Sequence, residues 1–587
     1  MRRAHALSRL FAELKRRHVI RVGVAYIVVA FALLQGADLV LPALLMPEWT
    51  FRLLVIVVLF LFPIVLVLAW VYDITPGGMK RTTALEGDGD EAQDHAAARE
   101  ARGSDRPSAP SRSAITAATA GTDVIDSVAI LPFSNASGSA DGEYLSDGIT
   151  EAIINKMATI SGVRVVPRAS AFRFKDRDFR PADVARELRV RAMVTGRVHQ
   201  RGEVLVAQAE LIDLSTESQL WGEHYNRPLA DIFTVQEEMA EEIARSLRLH
   251  LTGQQRERLR RRETEDASAY HAYMRGRYHW NKRTADGFQH AITHFQDAID
   301  IDPSYALAYS GLADTYNVVG YYNIRPPRDV YPQAKAAAAR ALELDPLIAE
   351  AHASLGYALL FYDRAYEEAA GELRRAIELK PTYATAHQWY GWYLLVQGSF
   401  DETVESLRRA LELDPLSLVI NDHFGYALFL DGRYTEARAQ IEKTLELDRR
   451  YPLAYWRLGN LDLHDGRLVE AVTALQTAVE LSGGLVGRGY LGMALASAGR
   501  VDEARALLAA LTGDQNSAYT SPLDRALVHA GLGEVTEAVG ALEEAFEHRT
   551  SDLVRLKLLP WPPELRRDSR FNQLLAEVAP QEVRVRA

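Results

Sequence analysis

The chain contains no cysteine among its 587 residues. This absence excludes disulfide bonds, thiolate-bound metals and cysteine nucleophiles. An excess of positive charge is also missing, because 67 Lys and Arg stand against 78 Asp and Glu and give a formal net charge of -11 at pH 7. Such a chain has no general attraction to nucleic acid, and we expect no nucleic-acid partner.

The short motifs of several enzyme classes are missing as well. The sequence has no serine nucleophile elbow, no HExxH zinc motif and no phosphate-binding loop. "GRGYLG" at 487–492 matches GxGxxG, but no predicted strand precedes it, as a dinucleotide site requires. His290, His294 and Asp297 have the spacing of metal ligands on one helix face, although polar surface residues are the commoner outcome there. We therefore predict a protein that is not an enzyme and that binds no cofactor or metal.

Two long apolar runs stand near the start of the chain, at 22–41 and 53–72. Each has 20 residues, the helical length that crosses about 30 Å of hydrocarbon. The preceding residues 1–21 are basic and carry Leu and Phe at helical spacing, which is typical of an amphipathic segment on an anionic membrane surface. We predict a cytoplasmic lead-in followed by a two-helix membrane anchor within 22–81.

The basic residues also predict the orientation of this anchor. Seven Lys and Arg precede the first run, one lies between the runs, and two follow the second. Because basic residues accumulate on the cytoplasmic side, both termini should be cytoplasmic, in an inner membrane that makes the lipid bilayer one partner. Residues 82–123 are rich in Gly, Ala, Ser and acidic residues, and we predict that they form a disordered linker.

A compact α/β pattern occupies residues 124–253. "SVAILPF" and "VRVVPR" are typical of buried strands, and "DGEYLSDGITEAIINKMATI" between them has its apolar residues on one helical face. A short helix, three further strand-like runs and a final helix follow. The predicted order is β-α-β-α-β-β-β-α.

Several stretches of this region carry a family resemblance. "AILPFSNASGSADGEYLSDGITEAI", "VVPRASAFRFKD" and "LIDLSTESQLWGEHYNRPLADIFTVQEEMAEEIA" resemble the TolB amino-terminal-like (FlgO-like) domain over about residues 125–252. The resemblance implies a domain that directly precedes tetratricopeptide repeats in bacterial regulatory proteins, and the two-span anchor is similar to one that a subset of them carries. Other members place a nucleotide cyclase module in front, whose metal-binding aspartates are absent here.

A repeat of 34 or 35 residues follows. "RALELDP" at 340–346 and 409–415 and "RAIELKP" at 375–381 each read as a helix that ends at a proline. Small residues recur eight positions into the units, where two antiparallel helices must approach: Ala313, Gly356, Gly391, Gly425, Gly459 and Gly492. This pattern is that of tetratricopeptide repeats, about eight of them within 268–547. "GYYNIRPPRDVYPQ" should form an inserted loop, and 548–587 a capping helix and tail.

The predicted fold is therefore mainly α: a right-handed α-solenoid of tetratricopeptide helix pairs, preceded by a small α/β domain and a transmembrane helical hairpin. Such an array presents a concave groove through positions 5, 9 and 12 of each unit. In repeats three to six these positions hold Tyr357, Trp392, Leu395, Tyr426, Phe429, Trp456 and Asn460. They include no Lys or Arg, which predicts a partner segment that is apolar or aromatic.

These features predict a membrane-anchored scaffold that binds unidentified protein partners through its repeat groove, with homo-oligomers possible. The alternative hypothesis is a signalling protein whose α/β domain binds a small ligand or nucleotide and relays its presence through the repeats. Saturable ligand binding would favour the alternative, and repeat-dependent capture of a partner would favour the scaffold.

Overall fold

The computed structural model describes two short strands near the start of the chain and, beyond them, residues 125–138, 140–249, 251–512, 519–559 and 561–578. The chain divides into two units, Met1–Ala117 and Ala118–Ala587. In the first unit, β1 (Tyr72–Thr75) and β2 (Gly78–Arg81) pair in antiparallel fashion, with Tyr72 opposite Arg81.

Several predictions fall outside the described residues. They are the lead-in 1–21, the span 22–41, the span 53–72 except its last residue, and the linker 82–123. That last residue, Tyr72, begins β1 instead of ending a helix. Within the described part of the chain, no helix is long and apolar enough to cross a bilayer.

The second unit begins with a mixed α/β domain. Its strands and helices follow the predicted order, with one additional short strand, β4, and one additional short helix, α2. They are β3 (Ser127–Ile130), β4 (Ser134–Asn135), α1 (Ala140–Ala158), β5 (Arg164–Val165), α2 (Arg168–Ala171), α3 (Pro181–Leu188), β6 (Ala192–Arg201), β7 (Val204–Asp213), β8 (Ser218–Pro228) and α4 (Ile232–Ser246). In the sheet the strand order is β5-β3-β6-β7-β8, and β4 pairs with β6.

The burial of each strand explains its place in this sheet. Every residue of β3 is buried, and β3 runs parallel to both β5 and β6, as expected for a strand covered on two faces. Strands β6 to β8 are antiparallel, and buried residues alternate along β7. Helix α1 packs on the sheet through Leu145, Ile149, Ile153 and Met157, none of which has exposed surface. These residues are the apolar face that the sequence predicts.

Helices make up the rest of the second unit. A short helix, α5 (Gly253–Arg260), leads into eight helix pairs among the described residues, the number that the repeat pattern predicts. The pairs are α6 (Ala267–Asn281) with α7 (Ala285–Ile301), α8 (Ala306–Tyr321) with α9 (Pro327–Leu344), α10 (Ala349–Ala358) with α11 (Tyr366–Leu379), α12 (Ala384–Val396) with α13 (Phe400–Leu413), α14 (Leu418–Leu430) with α15 (Tyr434–Leu447), α16 (Pro452–His464) with α17 (Leu468–Leu481), α18 (Arg488–Ser497) with α19 (Val501–Thr512), and α20 (Pro522–Gly531) with α21 (Val535–Glu547).

The predicted small residues lie where these helices touch. A Cβ at Gly459 would stand 2.5 Å from Leu475 Cγ on the paired helix and 3.2 Å from the Ala471 carbonyl oxygen. A Cβ at Gly492 would stand 2.4 Å from Val528 Cγ2 on α20. The recurring glycine is therefore a requirement of close helix packing.

The insertion in repeat two differs from its prediction. Only residues 322–326 form a loop, because 320–321 end α8 and 327–333 begin α9, which is 18 residues long. Pro326 and Pro327 precede and begin the helix, where a missing N–H costs nothing. Pro332 lies inside the helix and removes a single backbone hydrogen bond.

The C-terminal segment returns to the middle of the array. A 3-10 helix (Ser551–Leu558) is followed by α22 (Pro563–Arg566) and α23 (Ser569–Val578). Ser551 Oγ lies 2.9 Å from Tyr331 Oη, and Tyr366 Oη donates a hydrogen bond of 2.6 Å to the Val578 carbonyl. The segment therefore covers repeats two and three and does more than cap the last pair.

Candidate functional site

The candidate site is the inner face formed by the first helices of the repeats. Tyr357 lies on α10, Trp392 and Leu395 on α12, Tyr426 and Phe429 on α14, and Trp456 and Asn460 on α16. Ring contacts connect several of them, since the Trp392 and Tyr426 centroids are 5.9 Å apart and those of Tyr426 and Phe429 are 6.2 Å apart. The structure thus brings the predicted residues together on one face.

Burial of these side chains differs from the prediction. The sequence predicts an open stripe, but each of the seven residues is at most 9% exposed. Tyr357, for example, packs against Phe361 at 4.4 Å and Trp389 at 4.6 Å between ring centroids. The rings are covered because neighbouring repeats pack against them and the C-terminal 3-10 helix lies on this face.

Arg555 is the residue of the C-terminal segment that reaches the groove aromatics. It is 3% exposed, and its guanidinium carbon lies 5.1 Å from the Trp392 ring centroid and 5.3 Å from that of Tyr426. It also pairs with Asp552. A cation held over aromatic faces in this way is stabilised by the ring quadrupoles.

Arg457 approaches the same aromatics from within the repeats. Its guanidinium lies 4.0 Å from the Tyr426 centroid and 4.1 Å from that of Trp456, and it pairs with Asp422 at 3.3 Å. Burial disfavours its charge, but Asp422 together with Tyr426 and Tyr321 outweighs burial and raises the pKa of Arg457. The groove therefore contains two arginines that positions 5, 9 and 12 do not reveal, one from a neighbouring repeat position and one from outside the repeats.

A neutral histidine completes the aromatic part of the face. Trp392 Nε1 donates a hydrogen bond of 2.8 Å to His423 Nδ1, and Gln388 Nε2 lies 2.5 Å from the same atom. Burial lowers the pKa of His423 well below its ordinary value. His423 therefore acts as a hydrogen-bond acceptor here.

An apolar pocket of about 510 Å³ remains beside the 3-10 helix. Three of the predicted residues, Tyr426, Phe429 and Asn460, line it, together with Tyr490 and Trp561. Because most of its lining is aromatic or aliphatic, this pocket suits an apolar side chain.

A second, larger cavity lies between the α/β domain and the first helices of repeats one to five. Its volume is about 860 Å³, and its lining includes Tyr357 from the predicted groove. Charged side chains from both walls meet in it: Arg168 Nε and Arg277 Nη2 each lie 2.8 Å from Glu151. Burial alone would raise the pKa of Glu151, but the two arginines outweigh it and lower that pKa.

The weaker sequence motifs have structural explanations. His290 and His294 are on the outer part of α7, where their rings lie 4.9 Å and 5.4 Å from that of His279, and His294 Nδ1 lies 3.2 Å from Asp297 Oδ2. Among the described residues, no group of three His, Cys, Asp or Glu is placed to hold a metal. "GRGYLG" spans the start of α18, and Gly492 packs against α20.

Comparison with known families agrees with this architecture in part. A tetratricopeptide-repeat family model matches residues 328–384, 359–417, 424–485 and 490–552. The helical array is therefore one of tetratricopeptide repeats.

The family that matches the α/β domain differs from the family that the sequence resemblance suggested. Residues 124–242 match the family described as HilA/YgeH-like transcriptional regulator, second domain. The assignment to the TolB amino-terminal-like (FlgO-like) family is thus wrong. A pattern of strands and helices specifies the shape of a small domain more strongly than it specifies a family.

Individual proteins resemble parts of the chain. "Putative adenylate cyclase 3" of Rhizobium meliloti (strain 1021) is 34% identical over 243 residues, and the match spans 41% of this chain and 41% of that protein. YrrB, described as a TPR protein with an unusual peptide-binding site, is 22% identical, with 32% of this chain and 92% of that chain covered and a TM-score of 0.23. A thermophilic TPR protein of Thermus thermophilus is 22% identical, with 35% and 99% covered and a TM-score of 0.28.

Proposed function

We propose that this protein is a membrane-anchored scaffold without catalytic activity, whose tetratricopeptide repeats bind a protein partner. The observation that carries this proposal is the apolar pocket of about 510 Å³ on the inner face of the array. The partner places an apolar or aromatic side chain in it, beside Tyr426, Phe429 and Tyr490. Arrays of this kind use their inner face for protein recognition.

The pocket can be tested without removing buried residues. Ser497 is exposed and lines the pocket, so Ser497→Trp fills its mouth while the core stays unchanged. Val469 is 77% exposed and is not part of the pocket lining, so Val469→Trp adds the same side chain to the surface outside the pocket. The measurement is chemical cross-linking in native membranes, with the captured proteins identified by mass spectrometry. Ser497→Trp should capture fewer partner proteins than wild type, and Val469→Trp should capture as many as wild type. Equal capture by the two variants contradicts the proposal.

Membrane anchoring is the second part of the proposal. The runs 22–41 and 53–72 and the basic residues of 1–21 support two spans with both termini in the cytoplasm. A reporter enzyme that is active only outside the cytoplasm should stay silent when fused after Ala587. Reporter activity contradicts this topology.

A second candidate function is ligand-dependent signalling. The cavity of about 860 Å³ between the α/β domain and the repeats favours it, since a ligand there contacts both parts at once. The relative named as a putative adenylate cyclase is consistent with a signalling context.

A further inference from the structure

The larger cavity has the size and position of a small-molecule site. Its volume of about 860 Å³ falls within the range of roughly 300–1,000 Å³ that ligand sites occupy. One wall is formed by α1, the loop before β5 and α2, and the other by α6, α8, α10, α12, α13 and α14. Exposed residues such as Arg164 and Arg409 belong to its lining, so solvent reaches it.

Basic and acidic side chains are nearly balanced in the cavity lining, with seven Lys and Arg against six Asp and Glu. Arg168 and Arg277 share the carboxylate of Glu151 at 2.8 Å each, and Arg168 lies 3.8 Å from Asp147. Asp314 also acts on Arg277. Carboxylates therefore neutralise these two guanidiniums, and an anion in the cavity needs another cation.

Arg283 adds a third guanidinium without a carboxylate partner. Its guanidinium carbon stacks 3.6 Å from the Trp280 ring centroid, and none of the described carboxylates lies within 4 Å of it. The side chain is exposed to solvent and lines the cavity. Desolvation by the surrounding protein lowers the pKa of Arg283, and Tyr322, Tyr451 and Asp314 offset this only in part. A bound anion would raise that pKa.

Aromatic side chains line the same cavity as this cation. Tyr322 and Tyr383 are both only partly buried there. Tyr322 is close enough to Arg283 to influence its pKa, and Arg277 is close enough to Tyr383 to influence the pKa of that tyrosine. Flat, partly exposed rings in a cavity with a guanidinium that has no ion-pair partner are the surface that a ligand with both a ring and an anionic group fits.

We propose that this cavity binds a small organic phosphate with an aromatic ring, of the nucleoside monophosphate class. Arg283 contacts the phosphate, and Tyr322 and Tyr383 form the wall for the ring. This inference deepens the second candidate function and is independent of the scaffold proposal. All three ligand contacts lie in the repeats, and the α/β domain forms the opposite wall of the cavity.

The test is calorimetric titration of the full-length chain in detergent micelles with AMP, adenosine and inorganic phosphate. AMP should bind saturably, and adenosine and phosphate should each bind at least about tenfold more weakly, since each lacks one of the two contacts. Arg283→Gln should raise the Kd of AMP at least about tenfold, and Arg283→Lys should raise it less.

Arg364→Gln is the matched control for this substitution. Arg364 also has a positive φ, of 57° against 54° for Arg283, and its guanidinium lies 4.7 Å from the Phe546 ring, but it does not line the cavity. Its Kd for AMP should equal that of the wild type. The proposal is overturned by absence of saturable AMP binding, by equal losses in Arg283→Gln and Arg364→Gln, or by phosphate or adenosine binding as tightly as AMP. This test measures AMP binding alone and needs no partner protein. Its failure is therefore distinguishable from a failure of the repeats to transmit a signal after ligand binding.

Discussion

At the scale of single residues, the centre of the repeat array depends on a buried ion pair. The side chains of Arg457 and Asp422 are each 1% exposed, and two nitrogens of Arg457 lie 3.3 Å from Asp422 Oδ2. Arg457 also packs between Tyr426 and Trp456. Such a pair is costly to bury, but it is more costly to break by removing one partner.

We predict opposite outcomes for single and double substitutions of this pair. Arg457→Met leaves Asp422 buried without a counter-charge and should reduce the free energy of unfolding by about 3–5 kcal/mol. Arg457→Met combined with Asp422→Leu removes both charges and should regain most of that loss. Urea unfolding followed by circular dichroism measures both, and a double variant as unstable as the single one would contradict the argument.

At the scale of secondary-structure elements, helix pairing depends on glycines at fixed positions. Gly459 on α16 has no room for a Cβ, because Leu475 and the Ala471 carbonyl stand within 3.2 Å of where it would lie. Gly371 on α11 has no atom within 4 Å of the same point. Gly459 stands at the recurring small-residue position of its unit and Gly371 does not, and the surroundings of the two glycines differ accordingly.

Alanine substitutions at these two positions should therefore change the unfolding free energy in opposite directions. Gly459→Ala should lower the unfolding free energy by about 1–3 kcal/mol through overpacking. Gly371→Ala, in an open part of a helix, should raise it by about 0.5–1 kcal/mol. Urea unfolding of both variants provides the measurement, and stabilisation by both would mean that α16 and α17 can separate freely.

The C-terminal segment is an element whose role the repeat pattern does not reveal. Its residues Val554, Leu556 and Trp561 are each at most 5% exposed, and Arg555 lies on the groove aromatics. A helix that only capped the last pair would leave Trp392 and Tyr426 open to solvent.

Removal of this segment should open the inner face. We expect a chain that ends after Arg549 to bind more of a hydrophobic fluorescent dye and to show greater quenching of tryptophan fluorescence by acrylamide, because Trp392 loses its cover. Its thermal unfolding midpoint should also fall, since buried apolar area is lost. Unchanged quenching and dye binding would show that other residues cover the groove.

At the scale of the whole second unit, the α/β domain and the repeats share specific contacts. Ser170 Oγ donates a 2.5 Å hydrogen bond to Asp414 Oδ1 and accepts one of 2.8 Å from the Leu416 amide. Lys156 Nζ donates to the Leu259 carbonyl at 2.5 Å. Together with the Glu151 arginine cluster, these contacts hold the domain against the inner helices.

Asp414 should make this unit less stable as pH rises. Burial raises its pKa to about 6, above the ordinary value of 3.8, despite the hydrogen bonds involving Ser170. The folded state therefore retains a proton between about pH 4 and 6 that the unfolded state loses. The contribution of protonated Asp414 to stability is fully present below the unfolded-state pKa of 3.8 and is lost as pH rises through the folded-state pKa of about 6.

Asp414→Asn isolates this effect. Relative to wild type, the variant should gain about 2 kcal/mol in unfolding free energy between pH 4.5 and 7.5, because about 1.5 pH units separate the lower pH from the folded pKa. Urea unfolding at the two pH values measures the gain, with Asp300→Asn on the exposed side of α7 as the control. Parallel pH profiles for wild type and Asp414→Asn would rule out the shift.

The sequence by itself determined the helix pairs, the order of strands and helices in the α/β domain, and the inner-face position of residues such as Trp392. These follow from local spacing, since hydrophobic periodicity and recurring small residues act over one or two turns or strands. Only the tertiary structure decided that Arg555 covers Trp392 and that Arg283 stands unpaired beside Trp280. The first depends on a contact between residues 163 positions apart, and the second depends on which carboxylates the folded chain brings near Arg283, and no local pattern encodes either.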